Sequence, residues 1–500
     1  MELQFEKTQW ECLQPMVSQV KNEEHTTELR LPEAMPDMGR VLGTWGQVLL
    51  RGKEWRGSGM TVSGGVMAWV LYQPEDGSEP RSVEAWIPFQ TRWDFPQTER
   101  DGTIWASCLL RSIDARSLSA RKLMVRAGVS MMGEALEPVR VDIYTPGQVP
   151  EDVQLLRRSY PVSVLREAGE KGFAIDEEVT VPTALGQIGQ IIRWELCPEI
   201  IDRKVMASKV VFRGSVHGHV LFRDPEGELK TWNLEIPFSQ FEDLQREYAE
   251  ESDARIIPAV TGMELELLTP ETVRLKAGLV GQYVISDRSV LEMVEDAYSN
   301  TRQVTPMTEN LPLPTVLDSR TVTVKPEIRC DTEGQRILDA SFLSAQPSAH
   351  REGDYTVLEQ GGSWQLLLRD REGRLLGQTL SAETTLDMPA DGNARISAFG
   401  TTTGLPQCDI AAGQAQCRAD VLADIWSYSD TGIPMVCGLE LGEPKKPDPD
   451  RPSMILRRCG SKSLWELAKG NRSTVSAIRE MNGLEGEPEE NRLLLIPVIN

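Results

Sequence analysis

His219-Val220-Leu221-Phe222-Arg223-Asp224-Pro225-Glu226-Gly227-Glu228-Leu229 reads as a strand, a tight turn and the start of a second strand. The apolar run ends in acidic residues followed by glycine, which reaches positive φ at small cost, so the chain reverses there. The pattern recurs 146 residues later as Gln365-Leu366-Leu367-Leu368-Arg369-Asp370-Arg371-Glu372-Gly373-Arg374-Leu375, with Arg-Asp-x-Glu-Gly-x-Leu in common. Upstream the same unit is found at an offset of 150. Leu31-Pro32 matches Val181-Pro182, Gly39-Arg40-Val41-Leu42 matches Gly189-Gln190-Ile191-Ile192, and Arg126-Ala127-Gly128 matches Lys276-Ala277-Gly278. A register held over about a hundred residues marks internal repeats.

Each repeat carries period-two strands. Val273, Leu275, Ala277, Leu279, Gly281, Tyr283 and Ile285 share one face, against Arg274, Lys276 and Gln282, and Cys417, Ala419, Val421, Ala423 and Ile425 alternate in the same way. Half-buried alternating strands punctuated by Gly and Pro predict a mainly β protein of three tandem antiparallel, sandwich-like repeats. The expected units are residues 1–150, 151–300 and a diverged 301–443. The connections at 151–176 and 299–325 read as linkers, the first with a short helix around Val162 to Ala168. Helical spacing of Val290, Val294 and Ala297 predicts a helix over Ser289 to Tyr298. Between 444 and 452, Pro444, Pro447, Pro449 and Pro452 predict a stiff spacer.

Beyond the spacer, residues 453–500 change character to strand, helix, helix, strand. Met454 to Arg458 is a short strand, and Ser463-Leu464-Trp465-Glu466 is a capping box opening a helix. Ser473 or Thr474 starts a second helix with Val475, Ile478 and Met481 inward, Asn482-Gly483 ends it, and Leu493 to Pro497 closes the unit. This segment resembles a LysM domain over its whole length, through Ser463-Leu464-Trp465, Ala468, Val475, Ile478, Asn482 and Leu495-Ile496-Pro497. The resemblance implies a βααβ fold and, in most members, a shallow groove for N-acetylglucosamine glycans. Where that groove usually reads Gly-Asp-Thr-Leu-Trp, this chain has Ser461-Lys462-Ser463-Leu464-Trp465, which counts against glycan binding.

β repeats followed by one LysM domain resemble the SPOCS-domain spore-coat morphogenesis proteins of endospore-forming Clostridia. The resemblance implies a non-enzymatic scaffold made in the mother-cell cytoplasm and recruited to the forespore surface. Its LysM domain would engage the stage IV A coat ATPase, with Lys462, Leu464, Trp465, Ile478 and Asn482 as the partner-binding residues, of which Leu464, Trp465 and Ile478 could equally hold the small core. The alternative is a LysM domain that binds peptidoglycan.

Charge is consistent with protein docking. The 500 residues carry a formal charge of −22, which argues against general nucleic-acid binding. Yet residues 451–480 hold seven basic and two acidic side chains, suited either to an acidic partner or to a solvated face. Neither a signal peptide nor an apolar run long enough to span a membrane is present, which predicts a cytosolic protein. Eight cysteines without a C-x-x-C pair predict reduced thiols. His217 and His219 share a strand face as two of the ligands a metal would need, but no third is identifiable, and no nucleophile, zinc or phosphate-loop motif occurs, so no catalytic residue, metal or cofactor is expected. Seven of the twelve tryptophans lie within the first 105 residues, as core or as a recognition surface. Trp69, aligned with His219, is expected to face outward.

Overall fold

The computed structural model describes residues 2–98, 100–331, 335–390, 394–411, 414–429, 432–446 and 451–499. Strands dominate, in small antiparallel sheets. In the first segment, the sheet of Glu6–Arg30, Lys122–Thr145 and Thr103–Ser119 faces that of Met38–Arg56, Gly59–Pro74 and Arg81–Asp94. Val62, Val66 and Ile87 from one and Val125, Val129 and Met131 from the other close a shared core. The second segment has the same plan. Val153–Thr180, Thr272–Ser299 and Asp253–Thr269 face Gln190–Met206, Lys209–Arg223 and Leu229–Asp243, around Phe212, Val216, Leu275 and Ile285. In the third, Thr315–Val324, Gln414–Ser429 and Arg395–Ala411 accompany Arg336–Ser344, Tyr355–Arg369 and Leu375–Pro389. There the core divides into two smaller clusters, around Leu358 and Trp364.

Local chemistry accounts for the hairpins. Val273, Leu275, Ala277, Leu279 and Ile285 are buried on one face, as period two requires. Gly227 and Gly373 turn their strands at φ 91 and 83°, a region that side chains with a Cβ avoid. In each turn the preceding aspartate braces the loop, Asp224 Oδ1 accepting from Glu228 N and Asp370 Oδ1 from Arg374 N.

Trp69 does not face solvent. It is 2 % exposed, donates from Nε1 to Glu84 Oε1 at 3.1 Å and packs against Trp194 of the second segment. Its counterpart His219 is covered by Asp339 of the third segment at 2.8 Å. The third counterpart, Gln365, donates to Ile113 O of the first segment at 3.1 Å. One position therefore joins first to second, second to third and third back to first, a head-to-tail contact that closes a ring. On the same axis Leu42, Ile192 and Leu338 meet Leu71, Leu221 and Leu367 in one cluster, and these too are equivalents at offsets of 150 and 146. The outer face of each central strand, polar or apolar, is thus buried by its neighbour.

Both expected helices are strands. Ser289 to Tyr298 belongs to Thr272–Ser299, which pairs along its length with Val153–Thr180, the strand that also contains Val162 to Ala168. A bulge between Val294 and Asp296 breaks the alternation. Leu291 and Met293 therefore bury on one side of the break and Val294 and Ala297 follow at a spacing that imitates a helix. The regions read as linkers are largely strand as well, since Arg302–Leu311 and Thr315–Val324 occupy 299–325. Pairing partners more than a hundred residues away override the local polar composition. The ends of these long strands form two-stranded ribbons. Leu291, Val162, Val141 and Leu311 join them in a second, smaller core, and Glu2–Gln4 pairs with Ile433–Pro444. Residues 447–450 of the proline-rich spacer lie outside the described residues.

The expectation of reduced thiols fails at one place. Cys408 and Cys417 form a disulfide, because they are direct cross-strand partners in the Arg395–Ala411 and Gln414–Ser429 pair, a relation their spacing in sequence does not reveal. Cys12, Cys108, Cys197, Cys330, Cys437 and Cys459 are free.

Glu134 is fully buried where the first and third segments meet. Burial pushes its carboxyl up to about 7, with Arg395 and Arg255 opposing. A carboxyl raised in the folded state costs nothing below the unfolded value of 4.5 and a growing amount as pH rises to about 7. Glu134→Gln is therefore expected to gain about 1–3 kcal/mol at pH 8 and nothing at pH 4. Urea unfolding at both pH values measures this, and a loss at pH 8 would mean that the ionised form holds the two arginines.

Candidate docking site

Residues 451–499 fold as Met454–Arg458, helix α1 (Leu464–Gly470), helix α2 (Val475–Asn482) and Leu493–Pro497, the two strands paired antiparallel. The capping box forms in full, with Ser463 accepting from Glu466 N and Glu466 from Ser463 N. Thr474 rather than Ser473 caps α2, accepting from Ala477 N at 3.2 Å. Gly483 ends α2 at φ 61°, the left-handed residue such an end favours. Leu464, Leu467, Ala468, Ile478, Leu494 and Ile496 make the module's core.

The five expected binding residues are not equivalent. Lys462 is exposed on the loop before α1. Leu464 and Ile478 are fully buried. Asn482 ties α2 to the closing strand, donating to Leu495 O at 2.6 Å and accepting from Leu495 N at 2.8 Å. Trp465 is half-buried and donates from Nε1 to Asp296 Oδ2 at 2.7 Å. Its ring meets Tyr298 edge-on at 4.7 Å.

The α1 face is therefore seated on the end of the second segment. Lys469 Nζ lies 2.7 Å from the same Asp296 carboxylate. Tyr298 Oη and Asn300 Nδ2 both donate to Ser473 O at 2.9 Å. Tyr298 even joins the module's apolar cluster. None of Asp296, Tyr298 and Asn300 stands out in sequence, because their partners lie about 170 residues away. Removing the shared acceptor tests the seat. Asp296→Ala should cost about 1–2 kcal/mol of docking through lost charge-assisted bonds. Hydrogen exchange at 464–473 should rise while the module's own fold persists. Unchanged exchange would place the anchoring in Tyr298 and Asn300 alone.

The loop before α1 and the loop after α2 are also linked. Leu464 N donates to Glu487 Oε2 at 2.8 Å, and Cys459 Sγ donates to Glu489 O at 3.2 Å. A side chain from the second loop thus already holds the first amide of α1.

Other parts of the molecule offer no assembled chemistry among the described residues. A cavity of about 150 Å³ opens where the three segments meet, lined in part by Gln47, Cys108, Cys197 and Thr402. Burial pushes both thiols up to about 12, so they stay protonated and are poor nucleophiles. His217 pairs with Glu199 at 3.0 Å and His219 with Asp339, so each imidazole has a carboxylate partner rather than a shared metal geometry. No described group of three His, Cys, Asp or Glu side chains is arranged to hold a metal ion. No helix among the described residues is long and apolar enough to cross a membrane.

A protein-family model described as SipL, SPOCS domain matches residues 187–268. The match covers the sheet Gln190–Met206, Lys209–Arg223 and Leu229–Asp243 together with all but the last residue of Asp253–Thr269 of the second segment. Over that stretch the chain is similar to a sporulation-related, SipL-type protein. Neither a curated protein nor a solved structure matches the chain.

Proposed function

We propose that the chain is a non-enzymatic spore-coat morphogenesis factor that docks through its C-terminal module on the stage IV A coat ATPase and helps the coat encase the forespore. In this reading residues 1–150, 151–300 and 301–443 are three SPOCS-like β units, 444–452 is a proline-rich spacer, and 453–500 is a LysM domain. The protein works in the mother-cell cytoplasm and is recruited to the forespore surface. The observation that carries the reading is the SPOCS match at 187–268, lying within one of three interlocked segments that share its repeat register.

Electrostatics support a protein partner. The module's cations contrast with the acidic remainder of the chain, and complementary charge speeds and orients association with an acidic surface. Peptidoglycan binding is the competing reading, favoured by the LysM resemblance alone. Against it stand Ser461 and Lys462 in the first loop and the Glu487 carboxylate bonded to Leu464 N.

Sedimentation of the full chain with purified peptidoglycan, beside capture on the immobilised stage IV A ATPase at physiological salt, separates the two. Capture by the ATPase that weakens as salt rises supports the proposal. Sedimentation with peptidoglycan and no capture would replace it.

A further inference from the structure

The C-terminal hairpin has two unlike faces. Ile455, Leu494 and Ile496 point into the module's core. On the other face Met454, Leu456, Leu493 and Leu495 are 43, 60, 50 and 37 % exposed. Leu456 and Leu495 are direct cross-strand partners, so the four form one patch and not scattered single residues. Among the described residues no third strand pairs with this sheet. Apolar side chains on both faces of a two-stranded sheet are costly in solvent unless one face is meant to be covered.

Arg458 borders this patch on the same face, across from Leu493. Arg457 is on the opposite face, with its guanidinium 3.5 Å from Asn471 Oδ1, and Lys462 and Arg479 are exposed elsewhere on the module. Among the described residues, Lys469 is the only cation of the module in an ion pair, and its partner is Asp296. With Trp465 and Lys469 engaged by the second segment, the α1 face is occupied and the hairpin face is open.

We propose that the outer face of the Met454–Arg458 and Leu493–Pro497 hairpin is the module's docking surface, and that it takes an acidic protein surface presenting apolar side chains between carboxylates. This rests on the docking reading above and assigns its contact face. A second copy of the chain fits less well, because a twofold contact through this face would bring Arg458 close to its own counterpart.

Full-length protein tests it in three forms, unaltered, Leu456→Ser/Leu495→Ser and Asp296→Asn, each checked for an unchanged melting curve. Two probes are used, the purified stage IV A ATPase and poly(Glu,Tyr), an acidic and aromatic polypeptide of no biological specificity. The paired serines should weaken binding to both probes roughly tenfold or more, as loss of a central apolar anchor does, while Asp296→Asn binds within a few-fold of the unaltered chain. Equal ATPase binding by the serine form overturns the assigned face and leaves the ATPase reading standing. Binding of the copolymer alone, lost in the serine form, keeps the face and removes the ATPase. Binding of neither probe overturns both. Light scattering completes the set, since a dimer of the unaltered chain that the serines dissolve would assign the face to a second copy and overturn the acidic partner.

Discussion

Asp339→Ala is expected to lower the unfolding free energy by about 3–5 kcal/mol, the scale for removing one member of a buried ionic cluster. Asp339 is fully buried between Arg193 Nε at 2.7 Å and His219 Nε2 at 2.8 Å, and Arg193 is itself 1 % exposed. Burial alone would raise the Asp339 carboxyl, but Arg193 and His219 outweigh it and hold the group well below the carboxylate range. His219 responds in the opposite sense. Burial lowers it, the Asp339 carboxylate outweighs burial, and its pKa ends above 6.5. A raised imidazole contributes stability that is complete below pH 6.5 and is lost as pH rises through the folded value. The Asp339 share is present above the unfolded value of 3.8 and fades only in strong acid. The loss on Asp339→Ala should therefore be larger at pH 6 than at pH 9, by urea titration at both. A loss under 1 kcal/mol at pH 6 would show that the second and third segments do not depend on this cluster. Because His219 is the counterpart of Trp69 and Gln365, the same experiment probes one of the three contacts that close the ring.

Leu464→Ala is expected to unfold the C-terminal module. Leu464 is 0 % exposed in a cluster with Leu467, Ile478 and Leu494, and a buried Leu→Ala change costs about 2–5 kcal/mol. A unit of some fifty residues has only about 3–7 kcal/mol in total, so the variant should lose the module's protected amides and its docking together. Lys462→Ala, on an exposed side chain, should leave the fold within about 0.5 kcal/mol of the original. Amide exchange across 454–497, with binding to the ATPase, distinguishes these results. Protected amides with docking lost in Leu464→Ala would make Leu464 a contact residue instead of a core residue.

The sequence makes the hairpins legible because their information is local. Asp224 and Gly227, or Asp370 and Gly373, specify a turn within four residues, and Ser463 and Glu466 specify a helix start within three. The same holds for the alternation of Val273 to Ile285. What local pattern cannot carry is pairing at a distance. The run Ser289 to Tyr298 imitates helical spacing because Val290 is apolar yet faces solvent, and a bulge after Val294 shifts the register against Val153–Thr180 so that Ala297 is buried three residues on. Trp69 was expected outside because a polar residue stands at its aligned position, yet His219 is polar for a different reason, its carboxylate partner on the third segment. Cys408 and Cys417 face one another only once their strands pair. In the C-terminal module the same limit applies. Its capping and core are readable from residues 453–500, but the engagement of Trp465 depends on Asp296 and Tyr298, which nothing near Trp465 announces.

The reading of the chain as a docking scaffold turns on whether the module is what binds. The most direct measurement compares the full chain with a chain shortened after residue 446 for capture on the immobilised stage IV A ATPase at physiological salt, with the melting of the β segments followed in parallel. Capture of the full chain, none of the shortened one, and closely similar melting of the two are expected. Equal capture of the shortened chain, with its β segments intact, would contradict docking through the module.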